Sequence, residues 1–159
     1  MHLYNLDDDV SHLIFSYLHS TVDRNALSLT CRQFKKRLLP YLYADVSLSR
    51  DSAQVHSFCD ALLNTPDGRI AATYITSLEL TRSAFYQRSR QPLAASVRAE
   101  HHPPDFSFAT PLSKAVALME SLGQIIIADH VESLFTADPA ISAALRNHAK
   151  TLSRVKLAG

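Results

Sequence analysis

Between Asn5 and Tyr43 the apolar spacing, the caps and a breaker all describe one compact unit of three short helices. Val10, Leu13, Ile14, Tyr17 and Leu18 follow Asp7-Asp8-Asp9 at i, i+3, i+4, i+7 and i+8, which places them on one helical face. The acidic run suits a helix start, since a carboxylate caps free N–H groups and complements the positive end of the dipole. Ser20-Thr21-Val22-Asp23 offers caps for a second helix carrying Ala26, Leu27 and Leu29. A third is expected from about Arg32 to Leu39, presenting Cys31, Phe34, Leu38 and Leu39, with Pro40 as its stop.

Beyond Pro40 the pattern changes. Tyr41 to Leu48 alternates as a strand, with Leu42, Val46 and Leu48 on one side. Ser52 to Asn64 returns to a helical period through Val55, Phe58, Cys59, Leu62 and Leu63, and Pro66-Asp67-Gly68 reads as a turn. Ile75 to Leu80 forms a second alternating segment. From Thr81 to Thr110 no period holds, and the arginines, prolines and His101-His102 suggest a mobile insertion with a helical turn around Ala94 to Ala99. A helix is expected from Thr110-Pro111 through Leu112, Val116, Met119 and Leu122 to Gly123. After it come a strand at Val131 to Phe135, a helix opened by Asp138-Pro139 with Ile141, Ala144 and Leu145, and a strand at Leu152 to Leu157.

This pattern predicts an α+β or mixed α/β chain in four parts: a helical domain over 1–43, an irregular strand/helix/strand unit over 44–80, a flexible insertion over 81–110 and strand/helix units over 111–159. With 159 residues, 47% of them hydrophobic, the chain can bury one ordinary core or two small ones. Its 16 basic and 15 acidic residues leave a formal charge of +1, which argues against nucleic acid as the main partner. Six basic residues against two acidic ones between Asp23 and Arg50 are read as a solvated face.

Cys31 and Cys59 are too few for a disulfide framework. No secretory signal is visible and purely apolar runs such as Ile125 to Ala128 are too short for a bilayer, so the expected compartment is cytoplasmic or nuclear.

Chemistry is harder to place. Three glycines cannot build a phosphate-cradling loop or a nucleophile elbow, which sets aside nucleotide binding and an α/β hydrolase. The eight histidines have no partners at zinc-ligand spacing. Cys31 continues the Leu27 and Phe34 face and so reads as a small buried residue rather than a nucleophile. Catalytic residues, metal ligands and cofactors are therefore not expected.

Leu6 to Leu18 and then Asp23 to Phe34 resemble an F-box, over roughly the first 43 residues. Leu6, Val10, Ile14, Phe15 and Leu18 fill the family's first block, and Arg24, Leu27, Leu29, Cys31, Arg32 and Phe34 its second. Asp7 departs from the usual proline, which commonly contributes to the partner interface, so the change bears on affinity rather than fold. The later chain resembles the leucine-rich-repeat region of fungal-type F-box proteins. Its pieces are Ile75 to Leu80 and Leu152 to Gly159, and the step from Leu134 to Val155 is 21 residues. Such proteins normally continue for many repeats, so the chain resembles the N-terminal part of a longer one.

The resemblance implies a non-catalytic substrate-recognition subunit of a cullin-RING (SCF-type) ubiquitin ligase. In that role the adaptor subunit would meet Leu6, Val10, Ile14, Phe15 and Leu18, with Leu27, Cys31 and Phe34 partly core, and the repeats would hold a protein substrate. Two other classes fit less well: a three-helix nucleic-acid binder using the Arg32–Arg37 helix, and an interaction scaffold outside the ligase.

Overall fold

The computed structural model describes residues 7–18, 20–87 and 103–158. Among them are eight α-helices and four strands. The first three helices are α1 (Asp8–Tyr17), α2 (Thr21–Ser28) and α3 (Arg32–Tyr43); β1 (Asp45–Leu48), α4 (Ser52–Asn64), α5 (Pro66–Ala72) and β2 (Ser77–Leu80) follow. After a 3-10 turn at Arg82–Phe85 come α6 (Ala109–Ala117), β3 (Gln124–Ile127), α7 (Val131–Ala137), α8 (Ala140–Asn147) and β4 (Arg154–Leu157). The strands form one parallel sheet in the order β1-β2-β3-β4, so the chain is mixed α/β.

Parallel neighbours need a crossover, and each crossover here carries helix. Leu48, Leu78, Leu80, Ile125 and Ile127 point into the core, whereas Ser47, Glu79, Ile126 and Lys156 form a row on the other face. The apolar face is therefore the one the helices cover. Val46, Leu78, Ile125 and Val155 stand side by side, giving steps of 32, 47 and 30 residues. These exceed the roughly 20–29 of leucine-rich repeats, because the first and last crossovers each contain two helices.

Two buried clusters result. The larger joins 23 residues from Leu48 to Ala144, with Phe85, Phe108, Met119 and Leu122 among its fully buried members. The smaller consists of Phe15, Phe34 and Leu38, flanked by Leu18, Leu27, Cys31, Tyr41 and Leu42. Buried polar groups are satisfied among the described residues: His148 Nε2 donates to the Val116 carbonyl at 2.9 Å.

Several sequence expectations need correction. Helix α3 runs through Pro40 to Tyr43; the ring removes one backbone hydrogen bond, but Tyr41 and Leu42 pack on the smaller cluster and hold the last turn. Pro66-Asp67-Gly68 opens a helix rather than a turn, with proline at the first position and the Thr65 hydroxyl accepting from Gly68 N at 2.9 Å. Residues Val131 to Phe135 are helical, because Val131, Leu134 and Phe135 reach the core at i, i+3 and i+4. The strand of that unit is instead Gln124–Ile127, and the 21-residue step disappears with the correction.

The described ends of 81–110 are not mobile insertion: Phe85 and Phe108 lie in the core. Asp105 clasps these ends, accepting from Ser52 Oγ at 2.8 Å, Ser107 N at 2.9 Å, Ser107 Oγ at 2.6 Å and Gln87 Nε2 at 3.3 Å. Burial would raise its pKa, but these bonds together outweigh burial and lower it to about 2. The turn expected near Ala94 to Ala99 lies outside the described residues.

At the C-terminal rim of the sheet, His130 is the one non-glycine residue with positive φ (55°) among the described residues. Its ring sits among Phe85, Tyr86 and Phe106, and its Nε2 lies 2.8 Å from the Tyr86 hydroxyl and 3.9 Å from Asp129 Oδ2. Both polar neighbours approach the same ring nitrogen, whereas a catalytic relay would use the two nitrogens separately. The cluster, with Arg82 3.2 Å from Asp129, fastens the turn into α7 onto the 3-10 turn.

Candidate functional site

Helix α1 has a buried inner side and an apolar outer one. Ser11 and Phe15 face inward, where the Phe15 ring meets Phe34 edge-on at 6.0 Å and Tyr41 at 6.1 Å. Val10, Leu13, Ile14 and Tyr17 face outward, between 38% and 71% exposed. Four of the five residues of the α1 stripe are thus presented to solvent. Val22 on α2 and Leu29 at its end are exposed as well; six of the ten large apolar side chains exposed among the described residues lie between Val10 and Leu29.

The surface is held in place from behind. Arg37 of α3 reaches the N-terminal turn of α1, with Nη1 donating to Ser11 Oγ at 2.9 Å and Nη2 2.7 Å from Asp8 Oδ1. Arg24 of α2 holds the other end: Nε donates to the Leu18 carbonyl at 2.5 Å and Nη1 to the Tyr41 carbonyl at 3.1 Å, the guanidinium lying 5.8 Å from the Tyr41 ring centre. The Tyr41 hydroxyl also meets His12 Nδ1. Polar contacts fix both ends of α1 and leave its apolar outer face unused. Asp7 stands at the cap position without a side-chain cap bond, and the Cys31 thiol caps α3, accepting from Phe34 N at 3.5 Å.

The eight residues expected at an adaptor contact are distributed unevenly. Leu6 lies outside the described residues. Val10 and Ile14 are exposed; Leu18, Leu27 and Cys31 are half-buried against the smaller cluster; Phe15 and Phe34 are buried in it. Phe15 is therefore corrected from a contact residue to a core residue, its size being what fills the space between α1 and α3. Leu13, Tyr17, Val22 and Leu29 are exposed members that the contact set omitted. Helical period marks the first two, whereas Val22 and Leu29 are isolated apolar residues with no such signal.

The comparison with known protein families returns no match. None of the curated proteins matches the chain in sequence either.

The basic residues of α3 are drawn into the fold in two places: Arg37 as above, and Lys35 against Asp67 at 3.3 Å. Between α1 and α3 a cleft of about 570 Å³ is lined by Asp8, Asp9, His12, Lys36, Arg37 and Tyr41, which mixes both charges. Among the described residues no three of His, Cys, Asp and Glu converge as metal ligands, and no helix is long and apolar enough to cross a membrane. Burial pushes the Cys59 thiol up to about 12, which leaves it a poor nucleophile.

Proposed function

We propose that the chain is a substrate-recognition subunit of a cullin-RING ubiquitin ligase, docking on the adaptor subunit through the outer face of α1 and α2. The observation that carries this reading is the exposure of Val10, Leu13, Ile14 and Tyr17 as one stripe on a helix fixed at both ends. An apolar stripe at i, i+3, i+4 and i+7 is what helix-in-groove docking uses. Concentrated on so small a unit, it would raise the apolar surface above the scattered exposure of ordinary surfaces. The F-box resemblance of the same residues supplies the identity of the partner.

In this role the protein does no chemistry. It raises the local concentration of a bound protein substrate beside an enzyme carried elsewhere in the assembly. The row Ser47, Glu79, Ile126 and Lys156, with Asp45, Ser77, Gln124 and Arg154 beside it, offers a one-sided sheet surface for that substrate. Co-expression with the adaptor tests the docking step. The wild-type chain is expected to co-purify, and Leu13→Asp with Ile14→Asp is expected to abolish the complex while leaving the far-UV circular dichroism unchanged. A complex indifferent to both substitutions, or none with the wild-type chain, overturns the reading.

A further inference from the structure

The side of the sheet opposite the helices carries its charges in order. Asp45 stands on β1, Glu79 on β2, Ile126 on β3, and Arg154 and Lys156 on β4. That face is therefore acidic at β1 and β2, apolar at Ile126 and basic at β4. Alternation along each strand is what turns these side chains to this face, so the order holds whatever lies beside β1 or beyond β4.

Ile126 keeps the opposite charges apart. Glu79 and Lys156 are its register partners on either side, and two strand spacings set their backbones about 10 Å from each other. No ion pair joins them, and neither Asp45 nor Glu79 meets a cation among the described residues. The Glu79 carboxylate is oriented all the same: its Oε2 accepts from Ser47 Oγ at 3.1 Å, which leaves Oε1 to a ligand. Glu79 and Ile126 are half-buried in the row, whereas Asp45, Arg154 and Lys156 are exposed. A polyanion or a polycation suits such a face poorly, because one end of it repels either.

We propose that this face takes up an extended segment of the protein substrate in which a basic and an acidic residue flank an apolar one at alternate positions. The basic residue would lie against Glu79 and Asp45, the apolar one on Ile126 and the acidic one against Lys156 and Arg154. Alternate side chains of an extended chain share one side and recur every ~6.7 Å, so a segment crossing the strands obliquely meets successive strands with them. Opposite charges brought side by side stabilise the contact, and like charges oppose it. Either chain direction satisfies the order. The inference rests on the reading of this face as the substrate surface and names the class of substrate it selects.

Fluorescence anisotropy with the full chain at low salt tests it, using labelled, end-capped Arg-Ser-Leu-Ser-Glu, Arg-Ser-Leu-Ser-Arg and Glu-Ser-Leu-Ser-Glu. The mixed peptide is expected to bind at least about fivefold more tightly than either control. Asp45→Lys with Glu79→Lys makes the face basic throughout and is expected to move the preference to the peptide with two glutamates. Arg154→Glu with Lys156→Glu makes it acidic and is expected to move the preference to the peptide with two arginines, and each variant decides the matter should the other fold poorly. Equal binding of the three peptides by the wild-type chain, or tighter binding of either control, overturns the proposal, and so does a preference for the mixed peptide that survives the substitutions. Co-purification with the adaptor reports separately on the ligase reading. A complex that forms while the peptides bind equally removes the substrate class and leaves that reading standing; selective peptide binding without a complex does the reverse.

Discussion

The two buried clusters differ in how they treat their apolar residues. Around the sheet, helices and strands enclose 23 buried residues in one continuous core, and apolar surface escapes mainly at β4. In the N-terminal unit three helices enclose only Phe15, Phe34 and Leu38, while seven large apolar side chains face outward. A sheet covered on one side can close on itself. Three helices of eight to twelve residues cannot, because each has more apolar stripe than its two neighbours can cover. The surplus on α1 and α2 is thus a consequence of size, and its share on α1 forms one stripe.

The sharpest way to break this contrast is to remove one aromatic ring from each cluster. Phe85→Ala should cost about 3–5 kcal/mol, as expected for a buried phenylalanine, and lower the urea midpoint of the whole sheet. Phe15→Ala should release the amide protection of residues 8–43 and leave that of β2 and β3 intact in hydrogen exchange. Equal loss of protection in both regions would show that the clusters are one cooperative unit.

A smaller effect is expected at Gly68. A Cβ there would lie 2.7 Å from the Ala61 carbonyl carbon, where α5 folds back on α4, so Gly68→Ala should destabilise by about 1–3 kcal/mol, the usual cost of overpacking. Thermal unfolding would measure it, and an unchanged midpoint would mean that α4 and α5 separate at little cost.

The two clusters also differ in their thiols. Cys59 belongs to the large core, and burial raises its pKa from 9.0 to about 12; Cys31 is half-buried at the start of α3. The native state keeps the Cys59 proton where the unfolded chain releases it. Its contribution to stability is therefore full below about pH 9 and is lost as pH rises toward about 12. Cys59→Ala should flatten that alkaline limb in denaturation measured against pH. Under native conditions a thiol reagent should modify Cys31 first.

Smallest is the acid limb set by Asp105, whose pKa falls from 3.8 to about 2. Its stabilisation is present above about pH 4 and is lost as pH falls toward about 2, so Asp105→Asn should remove part of that dependence and loosen the junction with Ser52 and Ser107.

Much of this architecture is legible in the sequence where one face alone is buried. The period of α4 names Val55, Cys59 and Leu62, and all three are core. Leu78 and Leu80 alternate as a one-sided strand should. Legibility fails where the open face of a strand also carries an apolar residue, since Ile126 between the buried Ile125 and Ile127 leaves no alternation in the sequence to mark β3. It fails again where packing overrides local chemistry, as at Pro40 inside α3, and where core aromatics stand in aperiodic sequence, as at Phe85 and Phe108. On α1 the period finds the stripe but cannot tell its outer from its inner side. Phe15 lies off that period and enters the contact set only through the F-box resemblance, and the placement of α3 behind α1 buries it instead.

The most direct test of the docking face is hydrogen–deuterium exchange of the full chain, alone and with excess adaptor subunit. The proposed docking predicts added protection at α1 and α2, over residues 8–28, with the exchange of β1 to β4 unchanged. Protection on the strands instead, or none anywhere at saturating adaptor, would contradict it.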